Sequence, residues 1–314
     1  MSPRWHWDFE DQRRGPAHRP SRASAVERER RVRVRRRRAA AAVVILAVLA
    51  LILAVASGSS HPRATPRAGA RVSTRRAKAS PRPVPEDDQN GAVASVLGYT
   101  PFVKEGSARA REIALTFDDG PGPYTPRVLD VLERLHVHAT FFEIGAMLRY
   151  FSASTVRELG DGDVIGDHTE THPEMARLSA HDQREELFEQ IARIELLDGP
   201  RPVLFRPPYG SYDATTMREL HALHLLMVLW SVDTEDYLQP GVPVIVQRAL
   251  AGAHPGAIIL MHDAGGTRTQ TIEALPTIIR DLRARGFRLV TVPQLLRDDP
   301  PPPGQALPSN LSGD

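Results

Sequence analysis

Between residues 112 and 292 the chain alternates two kinds of segment, and this alternation restricts its fold more than any other feature. Short runs of β-branched, aromatic and aliphatic residues ("EIALTF", "HATFFEI", "VIGDHT", "VLFRPP", "LLMVLWSV", "AIILMH", "FRLVTV") are separated by stretches with helical apolar spacing. Examples of the latter are "TPRVLDVLERL", "AHDQREELFEQIARIELL" and "TIEALPTIIRDLRAR". About seven strand candidates with helices between them predict a parallel α/β domain, either a (β/α) barrel or an open sheet. In both, functional groups gather at the carboxyl ends of the strands.

The remainder of the chain reads differently. Residues 1–38 form a basic leader with 13 arginines against 5 acids, followed at 39–56 by an uninterrupted apolar run, "AAAAVVILAVLALILAVA". Eighteen residues make about 27 Å of helix, close to the roughly 30 Å of a bilayer core. A transmembrane signal-anchor is therefore expected, with the arginines cytoplasmic and everything after Ala56 outside. A cleaved secretory signal is the alternative, because Ala54–Ala56 fits an A-x-A site. Residues 57–109 are rich in Pro, Arg, Ser and Ala and read as a flexible extracytoplasmic linker whose last part, "SVLGYTPFVKEG", contains aromatics and is expected against the domain's edge, while 298–314 read as a disordered Pro-rich tail. Residues 112–314 carry 17 Lys and Arg against 29 Asp and Glu, so a nucleic-acid partner is not expected for this part. The chain has no cysteine, which excludes disulfides and thiolate chemistry.

Chemistry-bearing residues recur at five predicted strand ends. Asp118 and Asp119 follow the first; His168 and His172 in "DHTETH" follow the third; Arg206 and "PPYG" follow the fourth. Asp233 and Asp236 follow the fifth, and His262 in "LMHD" the sixth. Each has a dull explanation alone: a solvated turn, two surface histidines, an ion pair, a helix cap, a core histidine. Their ordered recurrence at successive strand ends does not.

In this order the residues resemble the polysaccharide deacetylases, the NodB-homology or carbohydrate esterase family 4 domain, over residues 110–297. "TFDDGP", "HTETH", "RPPYG", "DTEDY" and "LMH" match the family's five motifs, with Tyr237 where a tryptophan is usual. The resemblance implies a distorted (β/α) barrel and metal-dependent hydrolysis of N-acetyl groups of a polysaccharide. It implies Asp119, His168 and His172 as ligands of a divalent ion, zinc first, with cobalt or nickel possible. Asp118 would be the general base, held by Arg206, and His262 the general acid, its tautomer fixed by Asp233. Asp236 is the alternative partner of His262, and Asp233 is favoured by motif position. The backbone N–H of Tyr209 would meet the oxyanion, while Leu260, Tyr237 and Pro207 would contact substrate. Asp167 stands where asparagine is common, as an extra acid near the metal or an exposed one.

Outward orientation and a tether favour an acetylated envelope glycan as partner, peptidoglycan foremost, with the membrane engaged through the N-terminal helix. An O-acetyl esterase of the xylan type and a catalytically weak glycan-binding protein are the alternatives. Oligomeric state is not legible.

Overall fold

The structure, a computed structural model, describes residues 86–305. Its strands are β1 (Phe102–Val103), β2 (Glu112–Asp118), β3 (Thr140–Glu143), β4 (Val164–Asp167), β5 (Leu204–Phe205), β6 (Leu226–Val228), β7 (Val232–Asp233), β8 (Ile258–His262) and β9 (Arg288–Val290). The helices are α1 (Glu86–Leu97), α2 (Thr125–Leu135), α3 (Gly145–Asp161), α4 (Ala180–Leu196), α5 (Ala214–Leu223), α6 (Val242–Gly252), α7 (Thr269–Ala284) and α8 (Val292–Asp298).

β2 organises the sheet. All seven of its residues are buried, as a near-continuous apolar run requires of a strand covered on both faces. It pairs in parallel with β3 and β8 and, at its start, with β9. The strand order is β1-β6-β5-β4-β3-β2-β8-β7, and every ladder is parallel. β1 and β7 are the two ends of the path, so the expected distorted barrel takes the form of a curled, open half-barrel.

Strand period two divides the core between two apolar clusters. Ile113, Leu115 and Phe117 of β2, Phe141 of β3, and Ile259 and Met261 of β8 face the outer helices α2 and α7. Ala114, Phe142, Ile258 and Leu260 belong to the other cluster, with Phe205 and Met227. Thr116 and Asp118 share the parity of Ala114, and His262 that of Leu260, so the acid at the end of β2 and the histidine at the end of β8 lie on the same face. The register puts them directly opposite each other.

Three expectations are corrected. The fifth run, "LLMVLWSV", breaks at Leu229–Ser231 into β6 and β7, and β1 is added, giving nine strands among the described residues rather than about seven. Residues 86–109, expected in the linker with only "SVLGYTPFVKEG" against the domain's edge, supply α1 and β1, with Val93 and Val96 buried in the core. The beginning of the expected loose tail is bonded to this segment: Tyr99 Oη donates to the Pro301 carbonyl at 2.8 Å, and the Lys104 amide to Gln305 Oε1 at 3.0 Å. Among the described residues no helix is long and apolar enough to cross a membrane; the expected span at 39–56 lies outside them.

Candidate metal centre

Two adjacent acids reach one point because β2 ends between them. Asp118 points to the interior by strand parity, whereas Asp119 turns in the left-handed region (φ 74°), which brings its carboxylate back to the same side. Asp119 Oδ1 lies 3.2 Å from His172 Nε2 and 3.7 Å from His168 Nε2. Donor atoms of Asp119, His168 and His172 all fall within 4.8 Å of one another.

The rings are oriented from behind. His168 Nδ1 is 2.7 Å from the Arg206 carbonyl, and His172 Nδ1 is 3.2 Å from Tyr209 Oη. A carbonyl only accepts, so His168 carries its proton on Nδ1 and turns the Nε2 lone pair to Asp119. Burial holds His168 well below the usual histidine range, in its neutral, ligating form. Burial pushes Asp119 upward, but the His172 charge and hydrogen bond, aided by His262 and His168, outweigh it and hold the carboxyl well below its ordinary value. Two imidazole nitrogens and one carboxylate oxygen fit a divalent transition ion.

Arg206, fully buried, ties the site together. Its Nη1 donates to Asp118 Oδ1 at 2.7 Å and Thr116 Oγ1 at 2.8 Å, and its Nε to the Val228 carbonyl at 3.1 Å. The guanidinium stacks over Phe142, 4.1 Å from the ring centroid. Burial raises Asp118 above the ordinary carboxylate value while Arg206 and His262 oppose it, which suits a proton acceptor.

At the opposite wall the expected partner of His262 is corrected. Its Nδ1 meets Asp236 Oδ1 at 2.7 Å, and its amide donates to Asp236 Oδ2 at 3.0 Å; the Thr271 hydroxyl donates to the same oxygen at 2.6 Å. Asp233 ends β7 and accepts the Glu235 amide at 2.7 Å. With Glu235 at φ 47°, that turn swings Asp236 inward, so Asp233 shapes the turn and Asp236 meets the imidazole. Tyr237 meets the His262 ring edge-on at 5.3 Å. Leu260 is 3% exposed and Pro207 is buried, while Tyr209 is 40% exposed beside His172. Asp167 is buried and its Oδ1 accepts the Thr169 amide at 2.7 Å, so this acid braces the loop between the histidines.

Sequence reasoning overlooked the turn after His262. A Cβ on Gly265 (φ 71°) would sit 2.1 Å from Asp119 Oδ2, so that backbone packs directly on the carboxylate. Buried Arg268 holds the turn by bonding the Ala264 and Gly265 carbonyls, with Nη2 4.0 Å from Asp119 Oδ2. The Gly265–Gly266 pair was the available signal.

The family model described as polysaccharide deacetylase matches residues 105–228. A peptidoglycan-N-acetylglucosamine deacetylase of Bacillus cereus is 39% identical over 196 residues, 59% of this chain and 88% of that protein. The chain belongs to the polysaccharide deacetylase family. A solved peptidoglycan N-acetylglucosamine deacetylase matches this deacetylase with a TM-score of 0.61 at 34% identity, over 64% of this chain and 95% of the other. A family 4 pseudoenzyme from Bacillus anthracis matches with a TM-score of 0.59 at 30% identity, over 63% and 69% of the two chains. The family fold thus also occurs without activity, and the functional argument for this deacetylase rests on its own side chains.

Proposed function

We propose that this protein is a metal-dependent deacetylase that hydrolyses N-acetyl groups on amino sugars of peptidoglycan, working outside the membrane to which residues 39–56 anchor it. The carrying observation is the three-donor cradle of Asp119, His168 and His172 between a buried carboxylate, Asp118, and a carboxylate-backed imidazole, His262. The peptidoglycan assignment is supported by the deacetylases of that polymer among the relatives. The location is supported by the arginine cluster ahead of the apolar run.

Asp119, His168 and His172 would hold a divalent cation, zinc foremost, which would supply Lewis acidity toward the acetamide carbonyl and water. Asp118 accepts the proton of the attacking water. Its Oδ1 is engaged by Arg206, while Oδ2 faces the His168 side at 3.8 Å. His262 gives a proton to the departing amine from Nε2, since Nδ1 is committed to Asp236. The Tyr209 amide donates to the developing oxyanion, and Leu260, Tyr237 and Pro207 border the acetyl methyl. One proton enters at Asp118 and one leaves at His262, so the pair resets by a single transfer.

Acetate release from purified full-length protein on peptidoglycan, chitooligosaccharide and acetylxylan tests this reading. Peptidoglycan turnover is the expected result. Turnover confined to acetylxylan would establish an O-acetyl esterase instead, and binding without turnover a pseudoenzyme.

A further inference from the structure

The histidines of the cradle sit on a loop whose backbone is held out of its preferred range. Thr169 and His172 both have positive φ, 69° and 62°, which non-glycine residues keep only when their surroundings enforce it. Glu170 and Thr171 lie between them at positions that ligation leaves open, yet one helix grips both.

That helix is α4. Glu186 accepts the Thr171 amide at 2.7 Å on one oxygen and the Thr171 hydroxyl at 2.6 Å on the other. Arg193 grips Glu170 with Nε at 2.7 and 2.8 Å and Nη2 at 2.5 Å. Between them Gln190, fully buried, donates to the Glu143 carbonyl of β3 at 3.2 Å. Positions 186, 190 and 193 recur at i, i+4 and i+7, one stripe of a helix, so one face of α4 runs beneath the loop. From the other side, the Gly145 and Ala146 amides of α3 donate to the Thr169 and Glu170 carbonyls at 2.9 and 2.8 Å, satisfying donors that a helix start leaves open. A Cβ on Gly145 would lie 2.2 Å from Glu170 Oε2, so the loop is seated without slack.

We infer that Glu186 and Arg193 of α4 are positioning residues for the metal cradle, holding His168 and His172 in ligating geometry through Thr171 and Glu170. The inference rests on the reading of Asp119, His168 and His172 as metal ligands. Neither α4 residue belongs to that cradle, so their loss changes its preorganisation without removing a donor atom. Partners that orient ligands are worth about 10-fold to 100-fold in metal affinity.

The test is the zinc dissociation constant of the full-length protein, measured against a competing chelator, alongside thermal unfolding of the metal-free form. Thr171→Val and Glu186→Gln should each weaken zinc binding by about 10-fold or more. The double variant should lose no more than the worse single variant, because both substitutions act on the same Thr171–Glu186 pair. Arg193→Lys, which keeps the charge but loses the fork, should weaken binding, and the paired Glu170→Gln/Arg193→Met variant should do the same without stranding a buried charge. Excess zinc should restore kcat in each.

Zinc affinity within about twofold of the parent in all variants, with only the metal-free melting temperature lowered, would overturn the inference and make α4 a purely structural support. A parent that binds no zinc, or a His168→Ala control that binds as well as the parent, would overturn the ligand reading itself and the inference with it.

Discussion

Replacing Asp236 by asparagine keeps the shape of the side chain behind His262 and removes its charge. Burial alone depresses this imidazole, but the Asp236 charge and hydrogen bond, joined by Asp119 and Asp118, outweigh it and push it up to about 9 from the ordinary 6.5. That difference corresponds to roughly 3 kcal/mol, at about 1.4 kcal/mol per pH unit. A cation in the cradle would offset the share from Asp119 and Asp118 while leaving that of Asp236. His262 donates only while protonated, so activity persists below its pKa and is lost as pH rises through it. The metal-loaded parent profile should therefore fall between about 6.5 and about 9, short of 9 by the share the cation offsets, and the Asp236→Asn profile at lower pH, where burial prevails. At pH 8 the limits of about 9 and about 6.5 bound the drop in protonated fraction at about nine-tenths to about three per cent, so kcat should fall by up to about 30-fold. Acetate release measured from pH 5 to 10, with metal content verified equal, checks this. A variant whose alkaline limb stays within about half a pH unit of the parent's would refute Asp236 as the source of the raised imidazole.

Asp119→Asn should weaken metal affinity and turnover together, with partial rescue by excess metal. Asp118→Asn should keep about one ion and lose about 10²-fold to 10⁴-fold in turnover, as metal titration with parallel acetate assays would reveal. Arg206→Met leaves Asp118 buried without its partner and should cost about 3–5 kcal/mol in urea unfolding; Arg206→Lys should restore little, because the fork also serves Thr116 and two carbonyls. Gly265→Ala drives a methyl into Asp119 Oδ2 and should weaken metal binding by competitive titration. Protease added to spheroplasts should digest the domain at 110–297 while the arginine leader stays protected; release of a soluble form beginning at Ser57 would show a cleaved signal instead.

The candidate site was legible where local pattern decides position. A buried strand run followed by a motif puts its polar residues at a carboxyl end, so Asp118, Asp119, His168, His172, Arg206 and His262 could be grouped before any coordinates. The choice between Asp233 and Asp236 was not legible, because it turns on a left-handed Glu235 and a turn closed by Asp233 itself. Helix α1, "EDDQNGAVASVL", carries little amphipathic signal, and its place in the domain depends on Val93 and Val96 meeting residues far along the chain. The strand count was misjudged for a related reason: β1 and β7 have two residues each, too short for sequence period to register. The α4 grip on the histidine loop joins residues 15 and 23 positions apart, a relation that only packing reveals.

The most direct test of the central claim is the dependence of deacetylation on occupancy of the cradle. Full-length protein stripped by chelator and titrated with zinc should recover acetate release from peptidoglycan in proportion to bound metal, with a plateau at about one ion per chain, and His172→Ala should recover none. Full turnover in a preparation proven metal-free, or recovery that persists in His172→Ala, would contradict the account.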